Sequence, residues 1–331
     1  MFPRWTVEST RPETAIPAVR RRGVMRVSYT SGSVLAIAVI WSSTAIPREV
    51  AVDGSTGGYV RYSSESRIAA METSLNTKGA TSNRLSGPTV RLVQNDSDLS
   101  SIGNPAIAPL KWAGLLVNTD AFEKDGKKWS VNCTGQFITE RVVLTAAHCI
   151  QNDETGAFFD LNKMYFLLQY QYNEFSQAYR PICASRFDGW RSSGNAHLQW
   201  DYAMILMDGP SLTGYYNVAV DWQGKFSGAT ATGYPGALLG GTVIERAHGE
   251  LLSISDVPNE FALNHGQAKF TQGSSGGAWV ANFGNKVDAD HNIIVSVTSI
   301  GMPKKPGLSF GPYLTSDFKR LLEYVGNGCP H

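Results

Sequence analysis

The sequence carries almost no net charge. Its 29 Lys and Arg stand against 28 Asp and Glu, a formal net charge of +1. No Lys/Arg-rich stripe breaks that balance, which excludes a nucleic-acid binder working through bulk charge. Cysteine is scarce: four residues are few for a disulfide scaffold but suit two bridges in an oxidising compartment. The apolar run Val34–Trp41 is too short to span a bilayer comfortably, so no stable membrane anchor is expected. His-Glu-x-x-His, a phosphate-cradling glycine loop and internal repeats are all missing. His197 and Asp201, four apart, could share a metal only on a helix, and their segment reads as loop running into strand. No metal and no organic cofactor is therefore expected.

What remains is the texture of a β-rich globular protein. The charged fraction is 17%, the aromatic fraction 11%, and there are 33 glycines. A chain of 331 residues is long enough for two packed domains, or for one large domain with tails.

Residues 1–24 hold arginines and prolines without apolar periodicity and read as structureless. Met25-Arg26, the run Val34–Trp41 and the small residues Ser43-Thr44-Ala45 have the order of a secretory signal peptide cut after Ala45. The 24 residues ahead of Met25 are unusual for such a signal, so translation is expected to begin at Met25. Residues 46–104, rich in Ser, Gly, Thr and Asn, read as a flexible leader or propeptide. The product is expected to be secreted or periplasmic.

From residue 105 to 331 the texture changes. Short apolar runs at Trp112–Val117, Gln136–Ile138, Val142–Thr145, Met164–Tyr172, Tyr202–Met207, Thr242–Ile244 and Ile293–Ser299 read as strands separated by turn residues, the spacing of a barrel or sandwich. Only the end is helical by pattern. Phe318, Leu321, Leu322 and Val325 fall at i, i+3, i+4 and i+7, with Thr315 or Ser316 available as a cap.

Three stretches carry chemistry. Gly273-Ser274-Ser275-Gly276-Gly277 would let a hydroxyl stand clear of the chain while the N–H groups of Gly273 and Ser275 converge on one point. With so many glycines in the chain, it also reads as an ordinary Gly/Ser turn. Thr145-Ala-Ala-His148-Cys149 offers an imidazole, for which a core histidine is the plain alternative. Trp200-Asp201-Tyr202-Ala203-Met204-Ile205-Leu206 opens an apolar strand with a carboxylate. Asp160, Asp188 and Asp208 rival Asp201 by position, but only Asp201 precedes a continuous apolar strand and lies between His148 and Ser275.

Together these motifs resemble those of trypsin/chymotrypsin-like serine peptidases, over about Pro105 to His331. The chain order His, Asp, Ser is that of this fold, not of the α/β-hydrolases or subtilisins. The resemblance implies an all-β fold of two six-stranded Greek-key β-barrels with a C-terminal α-helix, acting as a monomer on polypeptide substrates. It implies Ser275 as nucleophile, His148 as general base, Asp201 as its orienting partner, and the amides of Gly273 and Ser275 as oxyanion hole. It further implies a disulfide between Cys133 and Cys149; Cys183 and Cys329 are left over and available to pair, without a motif to support it.

Gly233-Tyr234-Pro235-Gly236 resembles a turn in the bacterial glutamyl-endopeptidase-like branch. By the same resemblance, Ser299 and Gly301 fall beside the S1 pocket, Gly311 on its far wall and Lys269 near its base. A lysine there would favour an acidic P1 side chain, although Thr298 replaces the branch's glutamate-reading histidine and Phe270 could fill the slot. In many animal digestive members an aspartate before the nucleophile pairs with a freshly cleaved N-terminal amine; here Ser274 stands there instead. Two rivals share the same residues: a catalytically silent homologue acting as a binding module, and an esterase.

Overall fold

Seventeen strands and one helix make up the described part of the computed structural model, which comprises residues 7–10 and 101–330 apart from 125–126, 153–155, 173, 191–196, 255–258, 267–269, 271 and 303–304. The expected signal peptide at 25–45, residues 46–100 of the expected leader and Lys269 lie outside these residues, whereas the leader's last four residues, 101–104, are described and begin with a short strand.

The first sheet is built from β1 (Val7–Thr10), β3 (Ala113–Lys124), β4 (Lys127–Phe137), β5 (Val142–Thr145), β6 (Met164–Leu168), β7 (Gln177–Tyr179), β8 (Pro181–Phe187) and β9 (Ala203–Met207). The second takes β10 (Asn217–Val218), β11 (Gly228–Gly233), β12 (Glu245–Ser253), β13 (Glu260–Asn264), β14 (Ala278–Ala281), β15 (Ile293–Val297), β16 (Ile300–Met302) and β17 (Lys305–Pro312), with β2 (Ser101–Ile102) paired to β12. The first sheet runs β1-β8-β9-β5-β4-β3-β6-β7 and the second β10-β15-β14-β11-β12-β13-β17-β16. Each therefore has six main strands with short additions at its ends. Every ladder is antiparallel except the two-residue pairing of β10 with β15. The architecture is the all-β double barrel of the chymotrypsin-like fold, closed by the C-terminal helix Asp317–Gly326. Val7–Thr10, read from sequence as structureless, forms a strand along the outer edge of β8.

The strands form where burial demands them. All four residues of β5 and all five of β9 are buried, which is why they read as unbroken apolar runs rather than alternating ones. Strand β12 instead alternates, with Ala247 and Leu251 buried but His248 and Glu250 exposed. It begins at Glu245, later than the Thr242–Ile244 run suggests. Thr242 closes the preceding turn at φ −86°, ψ −1°, outside the extended region a strand requires. Phe137, Phe166 and Tyr179 meet edge to face inside the first barrel, and Trp222, Phe261 and Tyr313 cluster in the second.

The helix buries Phe318, Leu321 and Val325 against a cluster shared with Met204, Leu144 and Val280. Ser316 occupies its cap position without a side-chain capping bond; the Thr315 hydroxyl instead accepts the Asp317 N–H at 3.4 Å. No described helix is long and apolar enough to cross a membrane.

Two disulfides hold the fold. Cys133 pairs with Cys149, and Cys183 with Cys329, closing sequence separations of 16 and 146 residues. The second ties the helix's end to β8. In the chain-entropy picture these contribute about 3 and about 5 kcal/mol respectively. Replacing Cys183 and Cys329 together by serine should therefore lower the denaturant midpoint more than replacing Cys133 and Cys149. Equal losses in the two double variants would contradict this ranking.

Candidate active site

His148 sits in a 3-10 turn, Ala147–Cys149, immediately after β5, and is 2% exposed. The Cys133–Cys149 bridge fastens that turn to β4. Asp201 ends a second short turn, Leu198–Trp200, just before β9, and is fully buried. Strands β5 and β9 pair side by side, Thr145 opposite Ala203, so the residues that follow one and precede the other must meet.

They do meet. His148 Nδ1 lies 2.8 Å from Asp201 Oδ2, and the His148 backbone N–H donates to Asp201 Oδ1 at 3.0 Å. The Ser299 hydroxyl donates to Asp201 Oδ2 as well. Three donors thus replace the hydration that the buried carboxylate has lost. A carboxylate oxygen at Nδ1 fixes the ring in the tautomer that carries its proton there.

Ser275 lies in the Gly273–Gly277 loop, and that loop is strapped to the strand beside His148. The Thr134 N–H donates to Ser275 O at 2.8 Å. Gln136 Nε2 donates to Gly276 O at 2.9 Å, and Gln136 Oε1 accepts from Ala278 N at 3.1 Å. Gly273 and Gly276 stand at φ 94° and 79°, where a side chain would be strained. A Cβ on Gly273 would also strike the Tyr234 carbonyl, and one on Gly276 would strike Thr145 Oγ1 and lie 2.7 Å from Ala146 N. The loop thus presses against the two residues that lead into His148. Neither the Gly273 nor the Ser275 N–H donates to a protein acceptor among the described residues. Ser274 is fully buried, its hydroxyl without a partner.

The expected substrate-contacting residues are placed unevenly. Ser299 turns its hydroxyl to Asp201 rather than outward. Gly301 faces Ser309 across β16 and β17. Gly311 pairs with Phe261, and a Cβ there would strike Ser296 Oγ and Val297 O, so barrel packing accounts for that glycine. Thr298 Oγ1 accepts the Trp279 indole N–H at 3.0 Å. Phe270 is buried, its ring 5.2 Å from that of His265. The sequence reading missed Thr134, Gln136, His265 and Ser309. The available signal was two polar side chains, Thr134 and Gln136, in the last four residues before Phe137 of β4.

His265 Nε2 lies 2.9 Å from Ser309 Oγ, while Nδ1 is buried without a partner. Burial pushes this imidazole down from 6.5 to about 4, so it is neutral at neutral pH. Between those values the unfolded chain binds the extra proton, and stability is lost as pH falls from 6.5 towards 4. The loss amounts to roughly 3 kcal/mol. Burial lowers His248 in the same direction. A His265→Gln variant should lose less stability than the parent between pH 7 and 4.5 in urea titrations; parallel losses would contradict the assignment.

One group of potential metal ligands, Cys133, His148 and Cys149, lies close together among the described residues, but both sulfurs are spent in the disulfide. His197 precedes the Leu198–Trp200 turn, and Asp201 turns its carboxylate to His148.

The sequence matches the family described as Trypsin over residues 113–316. Among solved structures, Protease Anisep from Arthrobacter nicotinovorans aligns with a TM-score of 0.54 at 20% identity, covering 70% of this chain and 100% of the other. A Glu endopeptidase aligns with a TM-score of 0.53 at 20% identity, covering 70% and 98%. An inactivated protease paralogue of the scabies mite aligns with a TM-score of 0.53 at 13% identity, covering 70% and 100%. No curated protein matches the sequence.

Proposed function

The chain belongs to the trypsin family, and from that premise we propose that it is a secreted serine endopeptidase working through Ser275, His148 and Asp201. The observation that carries this reading is the buried row of Ser299, Asp201 and His148, beside a loop that offers Ser275 together with two undonated N–H groups. Ser275 Oγ attacks the scissile carbonyl as His148 Nε2 takes its proton. The amides of Gly273 and Ser275 receive the oxyanion. His148 then protonates the leaving amine, and water repeats the sequence on the acyl-enzyme. Asp201 keeps the imidazole in the required tautomer and stabilises its cation. No metal or organic cofactor takes part.

Two disulfides support export to an oxidising compartment. Residues 25–45 would direct it there, residues 46–104 would be a leader, and residues 105–331 would be the peptidase domain. Lys269, six residues before Ser275, would favour an acidic P1 side chain by charge pairing. The scabies-mite paralogue is a reminder that the fold is compatible with inactivity; what favours activity here is that Ser275, His148 and Asp201 are all present. Digestion of a peptide library by the exported protein tests the reading. Cleavage with an acidic P1 profile is expected. Hydrolysis of esters alone would favour the esterase, and no cleavage by folded protein would favour the binding module.

A further inference from the structure

Five successive carbonyls of the loop before and after Ser275 are each taken by a donor. Gln272 O accepts from Gly236 N at 2.7 Å, and Gly273 O from the Thr134 hydroxyl at 2.8 Å. Ser274 O accepts from Gly277 N at 2.9 Å, Ser275 O from Thr134 N at 2.8 Å, and Gly276 O from Gln136 Nε2 at 2.9 Å. In a trans peptide the C=O and N–H point opposite ways. Fixing the Gln272 carbonyl on Gly236 therefore fixes the Gly273 N–H on the other side, and fixing the Ser274 carbonyl on Gly277 fixes the Ser275 N–H; the Gly273 carbonyl, held by the Thr134 hydroxyl, pins the one peptide that lies between these two.

Thr134 is the hub of this arrangement. It is fully buried, on β4 in the other barrel, 139 residues before its partner in the loop. Its hydroxyl donates to Gly273 O while accepting the Tyr234 N–H at 3.0 Å, in the segment that also supplies Gly236. Its own carbonyl accepts from the Thr145 hydroxyl at 2.8 Å, at the end of β5 and three residues before His148. The hydroxyl thereby joins the loop to the Gly233–Gly236 turn, and the carbonyl of the same residue joins both to β5. No charged group contributes. Ser274, in the middle of the loop, carries no carboxylate with which an amine could pair.

We propose that Thr134 is a positioning residue whose hydroxyl holds the oxyanion-binding amides of Gly273 and Ser275 in place, so that the site is assembled by neutral hydrogen bonds alone. The catalytic consequence rests on the peptidase reading above; the structural clamp does not.

Two measurements on the full chain separate these. The first compares hydrogen exchange across the 272–277 loop in the parent, Thr134→Val and Thr134→Ser. Loss of the hydroxyl should speed exchange in the loop about tenfold in the valine variant, as expected for one lost hydrogen bond, with near-parental exchange in serine. Unchanged exchange in valine would overturn the clamp whether or not the chain is an enzyme. The second follows kcat and KM on a fluorogenic peptide. Thr134→Val should lower kcat about 10²-fold, the usual effect of losing one oxyanion donor, with KM within a few-fold, and Thr134→Ser should recover most of it. Parental kcat in valine, or no recovery in serine when both variants are folded, would overturn the positioning role. Faster exchange in Thr134→Val, together with a folded parent chain that cleaves no peptide, would retain the clamp and refute the peptidase reading instead.

Discussion

Replacing Ser275 by alanine is expected to lower kcat for peptide hydrolysis by about 10⁶-fold, leaving only the contribution of bound substrate and oxyanion donors. The fold should be untouched. Ser275 is the half-buried tip of a loop whose main chain, not its side chain, makes the anchoring bonds to Thr134. Its Cβ persists in alanine, so the loop keeps its conformation and the denaturant midpoint should move by less than about 0.5 kcal/mol in free energy, the usual range for a substitution that removes no packing. Steady-state hydrolysis and urea titration of the same sample check both halves. A variant that keeps a tenth of the parental kcat would place the nucleophile elsewhere.

The second large effect concerns Asp201. Its carboxylate holds three donors: the His148 ring, the His148 N–H and the Ser299 hydroxyl. Asparagine is nearly isosteric but brings an NH₂ that must point somewhere. If it faces His148 Nδ1, the ring is forced into the tautomer with its proton on Nε2, and a base that already holds its proton there cannot accept one from Ser275. A loss of about 10⁴-fold in kcat at neutral pH is expected for Asp201→Asn. The loss should shrink as pH rises, because hydroxide can then do part of the work of the disabled base. The kcat–pH profile of the variant measures this. A flat profile with kcat within tenfold of the parent would show that Asp201 only fills space.

How much of this was legible beforehand differs between residues for a physical reason. Thr145–Cys149 and Gly273–Gly277 carry their chemistry in consecutive residues, since a sharp turn, an imidazole and a bridging thiol are local requirements. Strands β5 and β9 were readable because both faces are buried and every position is apolar. Strand β8 was not: Ser185 and Arg186 interrupt its apolar pattern, and their burial depends on a partner far away in sequence, Gln151 accepting from Arg186 Nε at 2.6 Å. Strands β13, β14 and β17 are short or glycine-interrupted, and only pairing defines them.

The same distinction runs through the site. Thr134 reaches Gly273 over 139 residues and Ser299 reaches Asp201 over 98, contacts that no local pattern encodes.

The central claim is that Ser275 is made reactive by a histidine that Asp201 orients, next to amides poised for an oxyanion. A fluorophosphonate reports on all of these at once, because it phosphonylates a serine only when base and donors act together. Peptide mapping of the labelled chain is expected to find the phosphonyl group on Ser275, strongly reduced in Asp201→Asn and absent in Ser275→Ala. A folded parent chain that stays unlabelled, or one labelled at another serine, would contradict the account.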